Sequence, residues 1–155
     1  MSRGESLDAY WQRFRATSAG ATAPEAWYDT MSIGPSAASA DEGARLILAG
    51  IKTTTSSLPS DYSEAKPPPY RGAHSILLNG HGAPVAIVET TAVAEQRLTD
   101  IDADFASAYG EWDRTLVTWH KQMQAYYEPT LSRRGLVWSH DTRLLCEWLR
   151  VVWTG

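Results

Sequence analysis

The stretch from Gly50 to Ser57, GIKTTTSS, constrains the fold more than any other part of the chain. The run leading into it suits a helix, and Gly50 is the residue type best able to stop one, because it enters the left-handed region without a Cβ penalty. Lys52 then arrives where the backbone must change from helix to strand. Thr53, Thr54, Thr55, Ser56 and Ser57 follow, so a short extended segment carries one amine and a row of hydroxyls. Strand alternation places Thr53, Thr55 and Ser57 on one face and Lys52, Thr54 and Ser56 on the other. At the mouth of the strand, the long stem of Lys52 is expected to reach over to Thr55.

The 155 residues are read as a single domain, 1–155, with an N-terminal helical extension over about residues 1–38. Hydrophobic residues at 43% and charged residues at 21% are ordinary for a globular protein with one core. Seven tryptophans and seven tyrosines against two phenylalanines are less ordinary, since rings with a polar handle suit half-wet pockets as well as cores. Cys146, the one cysteine, lies in the apolar run LLCEWL and is expected to be a buried thiol in a reducing, cytoplasmic setting. No apolar run approaches the length of a membrane span, and SRGESLDAYW lacks the apolar centre of a secretion signal. The net charge of −4 favours a small substrate over a long polyanion, with Lys52, Lys66, Arg71, Arg133 and Arg134 left to form any local basic patch.

Along the chain, Leu7, Tyr10, Trp11 and Phe14 recur at helical spacing behind the cap Ser6. Gly20 to Ser36 reads as irregular. Ser39 and Glu42 have the spacing of a capping box for a second helix that ends at Gly50. Pro67 to Pro69 make an extended connection that delivers Tyr70 and Arg71 at its exit. Ala73 to Asn79 and Pro84 to Val93 read as a hairpin. Asp113 is expected to cap a long helix carrying Trp112, Leu116, Trp119, Met123, Tyr126 and Tyr127 until Pro129. Leu144 to Trp153 reads as an interior strand, apolar on both faces. Strands interrupted by helices without βαβ alternation indicate an α+β protein on a small, mostly antiparallel sheet or barrel.

A threonine hydroxyl is a weak nucleophile unless a base takes its proton. Lysine can be that base when burial keeps it neutral. Glu111, between Gly110 and Asp113, is the third group of the set, a carboxyl on a turn at a rigid edge. Each residue alone has a plainer explanation: a solvated lysine after a helix, strand propensity in a threonine run, a glutamate serving a helix dipole. His74, His81, His120 and His140 share no ligand spacing, and the scheme calls for no metal or other cofactor.

Read in order, LILAGIKTTTSS, VAIVETTAV, GEWDRTLVTW and CEWLRVV resemble the motifs of the ASCH domains, members of the PUA-like superfamily, from about Ser39 to Trp153. The resemblance implies a small, mostly antiparallel PUA-like β-barrel flanked by helices, with a cleft near the Lys-Thr strand. Small bacterial members are N4-acetylcytidine amidohydrolases that use a lysine, a threonine and a glutamate, positions that match Lys52, Thr55 and Glu111. The implied substrate is a modified nucleoside, and Lys52 is expected to deprotonate Thr55 for attack on the acyl carbon. Where those enzymes carry an arginine two residues after the threonine, this chain has Ser57, so Arg45, Arg71 and Arg114 are the substitutes available; Ser57, Tyr70 and Arg114 are the expected substrate contacts. Longer relatives tend to have a histidine at the position of Met123 and a serine at that of Glu128. Other members are described as single-stranded RNA nucleases or RNA-binding modules, in which Lys52 would meet phosphate and Tyr70 or Tyr28 would stack a base. Hydrolysis ranks first, RNA cleavage second and binding alone third.

Overall fold

The computed structural model describes residues 4–155, so the first three positions of the expected N-terminal extension lie outside it. Its described residues form helices α1 (Leu7–Arg15), α2 (Ala37–Leu48), α3 (Ala103–Tyr109) and α4 (Leu116–Arg133). The strands are β1 (Thr30–Met31), β2 (Thr54–Ser57), β3 (His74–Leu78), β4 (Pro84–Arg97) and β5 (Arg143–Trp153). The strands make one sheet in the order β1-β3-β4-β5-β2, antiparallel except for the β1–β3 pair.

The sheet is open, and the expected barrel does not close. Closure needs the two outer strands to pair, yet β1 offers two residues and β2 four, and the outer side of β2 is engaged by α3. Thr53 N–H donates to the Ala108 carbonyl at 2.8 Å, and Thr54 Oγ1 to the Phe105 carbonyl at 3.2 Å. As expected, β5 is an interior strand, between β4 and β2. Leu144 and Cys146 are fully buried against Phe105, Trp119 and Met123, and burial pushes the Cys146 thiol up to about 12. Two register shifts in β4 bend the long β4–β5 ladder. Its far end, with Val152 and Trp153, packs on Tyr10, Trp11 and Phe14 of α1.

Ser6 caps α1 as anticipated, accepting from Ala9 N–H. For α2 the cap is Ser36, three residues before the expected one; Ser39 is its partner in the capping box, and Glu42 instead pairs with Arg45. The serine-rich entry offers several oxygens at workable spacing, and Ser39 is held because its hydroxyl also donates to the Ile33 carbonyl. The long helix starts behind Thr115, leaving Trp112 outside. Asp113 serves that entry by accepting from Thr115 and Thr118. α4 also runs through Pro129 to Arg133, because packing of Tyr127 and Leu131 in the main core outweighs one lost backbone hydrogen bond.

Gly43 of α2 lies where the helix rides on Ile33, and a methyl group there would overlap the isoleucine side chain. Gly43→Ala is therefore expected to destabilise the protein by about 2 kcal/mol in urea denaturation, since overpacking outweighs the gain in helix propensity. An unchanged or higher midpoint would show that Ile33 yields freely.

Candidate functional site

Lys52 follows the left-handed Gly50, whose φ is +73°, and its amide is held by the Leu46 carbonyl at 3.1 Å. The side chain turns inward. Only 1% of the residue is exposed, and Nζ donates to Glu111 Oε2 at 2.8 Å and to the Tyr109 carbonyl at 3.2 Å. The ammonium also lies 3.3 Å from the centroid of the Tyr109 ring, a cation–π contact made stronger by the lack of water. Burial pushes its pKa down to about 8, against the opposing pull of Glu111. The direction is the one expected from the sequence for a lysine turned away from water.

Glu111 is delivered by α3, whose last residue is Tyr109. Gly110, Trp112 and Arg114 all have positive φ, at +75°, +57° and +66°. For Trp112 and Arg114 the left-handed region costs on the order of 1 kcal/mol each, and the compact turn they make holds the carboxylate over Lys52. Gly110 itself is pressed against the chain at Ile51 and Lys52. The glutamate keeps partial access to solvent, its side chain 20% exposed.

Thr55 and Glu111 line one cavity of about 420 Å³, between β2, α4 and the Ser32–Pro35 segment. Ser56, Tyr109, Trp112 and Tyr126 share the wall. Ser56 Oγ is 2.8 Å from the Tyr127 hydroxyl and 3.2 Å from that of Tyr109. The hydroxyls of Ser56 and Thr55 both act on the Tyr109 phenol, which burial raises above its ordinary pKa. The direct Lys52–Thr55 hydrogen bond expected from the sequence is not formed. Lys52 lies on the side of the strand facing α3, and Glu111 and Tyr109 take its hydrogen bonds.

The other expected contacts lie off this wall. Ser57 Oγ accepts from the Tyr62 hydroxyl at 2.6 Å. Tyr70, 52% exposed, meets the edge of Tyr28 on the proline-loop side. Arg114 Nε donates to the Ser107 carbonyl at 2.8 Å. His74 is buried with its Nδ1 2.7 Å from the Gly72 carbonyl, while His120 and His140 line a separate cavity of about 590 Å³ with Trp138. Among the described residues no three His, Cys, Asp or Glu side chains group as metal ligands, and no helix is long and apolar enough to cross a membrane. Sequence reasoning missed Tyr109, and it read Tyr127 only as one of the residues that the long helix carries, not as part of the cavity wall. Tyr109 closes the short helix α3, whose signals are the cap Asp102 and the stop Gly110.

The description of one protein family, the ASCH domain, matches residues 29–153. The fold is similar to the crystal structure of an ASCH domain from Lactobacillus crispatus JV V101, with a TM-score of 0.79 at 25% identity over 92% of this chain and 93% of that one. It is also similar to a protein from Enterococcus faecalis V583, with a TM-score of 0.80 at 25% identity over 94% and 92% of the two chains. A variant ASCH protein from Zymomonas mobilis is more distant, with a TM-score of 0.51 at 14% identity over 79% of this chain and 68% of that one, and bears on the fold alone. No curated protein sequence matches the chain.

Proposed function

The chain belongs to the ASCH domain family, and on that footing we propose that it is an amidohydrolase that removes an acyl group from the exocyclic N4 of modified cytosine nucleosides, such as N4-acetylcytidine. The observation that carries this reading is the ion pair between the buried Lys52 and the partly exposed Glu111, beneath a cavity whose wall also holds Thr55. Burying the lysine of an ion pair is seldom favoured for stability, since its desolvation cost offsets much of the attraction. Here the pair is held by a turn in strained backbone, a combination that favours a chemical role. The cavity volume of about 420 Å³ suits a small ligand, with the half-exposed Trp112 and Tyr126 at hand for a base to rest on.

In the proposed reaction Thr55 Oγ1 attacks the acyl carbon, and the hydroxyl proton passes to a neighbouring base. The bond from carbon to N4 breaks while Lys52, through Glu111, supplies a proton to the departing nitrogen. Water then cleaves the threonine ester, releasing the carboxylic acid. Cleavage of single-stranded RNA is less well supported, because among the described residues no lysine or arginine lines the cavity wall and the chain carries a net charge of −4.

The test is to incubate the protein with N4-acetylcytidine and, separately, with a single-stranded RNA, following products by chromatography. Release of cytidine and acetate with intact RNA is expected. Cleaved RNA with untouched nucleoside would replace this reading by the nuclease one.

A further inference from the structure

A threonine nucleophile needs a base, and the lysine is engaged elsewhere. The β2–β5 register sets Thr55 directly opposite Glu147. Opposed residues of an antiparallel pair project to the same face, with Cβ atoms about 5 Å apart, so Glu147 and Thr55 are direct cross-strand neighbours. We infer that Glu147 is the base that takes the Thr55 proton, an inference that rests on Thr55 being the nucleophile of the proposed reaction.

Glu147 is only 6% exposed. Its Oε2 accepts from Thr90 Oγ1 of β4 at 3.0 Å, and among the described residues its other oxygen takes no hydrogen bond, although it is not among the fully enclosed unpaired atoms. It takes part in no ion pair there, and desolvation raises its pKa above the ordinary carboxylate value while the Thr90 hydroxyl lowers it. Its charge is felt by the phenols of Tyr28, in the segment before β1, and Tyr62, beyond β2. Such a site is poor for stability and well suited to basicity, because a carboxylate stripped of water binds a proton more readily.

The step balances. As Oγ1 bonds to the acyl carbon, its proton moves to Glu147, and N4 leaves with a proton from the Lys52–Glu111 pair. Water then attacks the ester and gives one proton to that pair. Glu147 returns its proton to Oγ1 as the carboxylic acid departs, and both groups regain their starting charge.

The experiment uses p-nitrophenyl acetate, a generic acyl donor, so that the chemistry at Thr55 is read independently of the nucleoside. Acid-quenched samples of the whole protein are digested, and acetyl transfer to the Thr55 peptide is followed by mass spectrometry against pH. Glu147→Gln keeps the shape of the side chain and an acceptor for Thr90. It is expected to slow labelling about a hundredfold without lowering the melting temperature. Thr90→Val removes the hydrogen bond that lowers the Glu147 pKa, and should move the acid limb of the labelling profile to higher pH, a shift that a merely structural role would not produce. Wild-type labelling rates in Glu147→Gln, an unmoved acid limb in Thr90→Val, or a wild-type protein that is never acetylated at Thr55 would overturn the inference. Glu147-dependent labelling in a protein that leaves N4-acetylcytidine intact would sink the nucleoside reading and leave the Thr55–Glu147 pair standing.

Discussion

Thr55→Ala is expected to lower the rate of cytidine release from N4-acetylcytidine by three orders of magnitude or more, with the melting temperature close to that of the parent. The substitution removes one hydroxyl from a half-buried strand position, where a change of this kind costs less than about 1 kcal/mol. Lys52→Met is expected to be as inactive, because Glu111 then has no source for the proton it passes to the leaving nitrogen. The double variant should be no slower than either alone, since groups that act in one step lose their effect together rather than additively. Thr55→Ser, which keeps the nucleophilic oxygen, should retain measurable turnover. Full activity in Thr55→Ala would transfer the chemistry to water and end the acyl-enzyme scheme.

The second large effect is expected at Gly110, far smaller as a chemical change. Its φ of +75° belongs to the left-handed region, and a Cβ there would stand 2.7 Å from the Ile51 carbonyl oxygen and 2.8 Å from the backbone of Lys52. Both atoms are main chain and have no rotamer to escape into. Gly110→Ala thus combines a dihedral penalty of about 1–2 kcal/mol with a forced separation of α3 from the segment carrying Lys52. A loss of roughly 3–4 kcal/mol in urea denaturation is expected. Activity should fall even where the variant remains folded, because the glutamate and the lysine are mounted on the two segments being pushed apart. A variant with parental stability and turnover would mean that this close approach does not position the pair.

These two positions also mark what could be read from the residues alone. Gly50, Lys52 and the hydroxyl run announced a helix stop and a strand, because both signals are local. Ser6 as a cap, the hairpin around Asn79 to Ala83 and the buried interior strand rested on equally local chemistry. What escaped depended on partners distant in sequence. Lys52 was read as bonding its sequence neighbour Thr55, with Glu111 as a third group, whereas Glu111, 59 residues away, takes its hydrogen bond directly, and a lysine stem is long enough for either. α3 has only seven residues, too few for a periodic pattern to rise above its surroundings. Pro129 was read as a stop because its own backbone argues for one, and only the apolar contacts of Tyr127 and Leu131 carry the helix past it. Glu147 lay within a strand read as apolar on both faces and had no role until the pairing register supplied its neighbour.

The unclosed sheet bears on how the molecule behaves among copies of itself. A barrel removes the raw margins along which another chain can add strand upon strand. This protein reaches the same safety by other means. At one margin the terminal strand has two residues, too short a template for an incoming segment to zip onto. At the other, a helix sits against the start of the ladder, and the remainder borders the cavity that Thr55 lines. The place where backbone is left unguarded against aggregation is thus the place where the proposed substrate would lie.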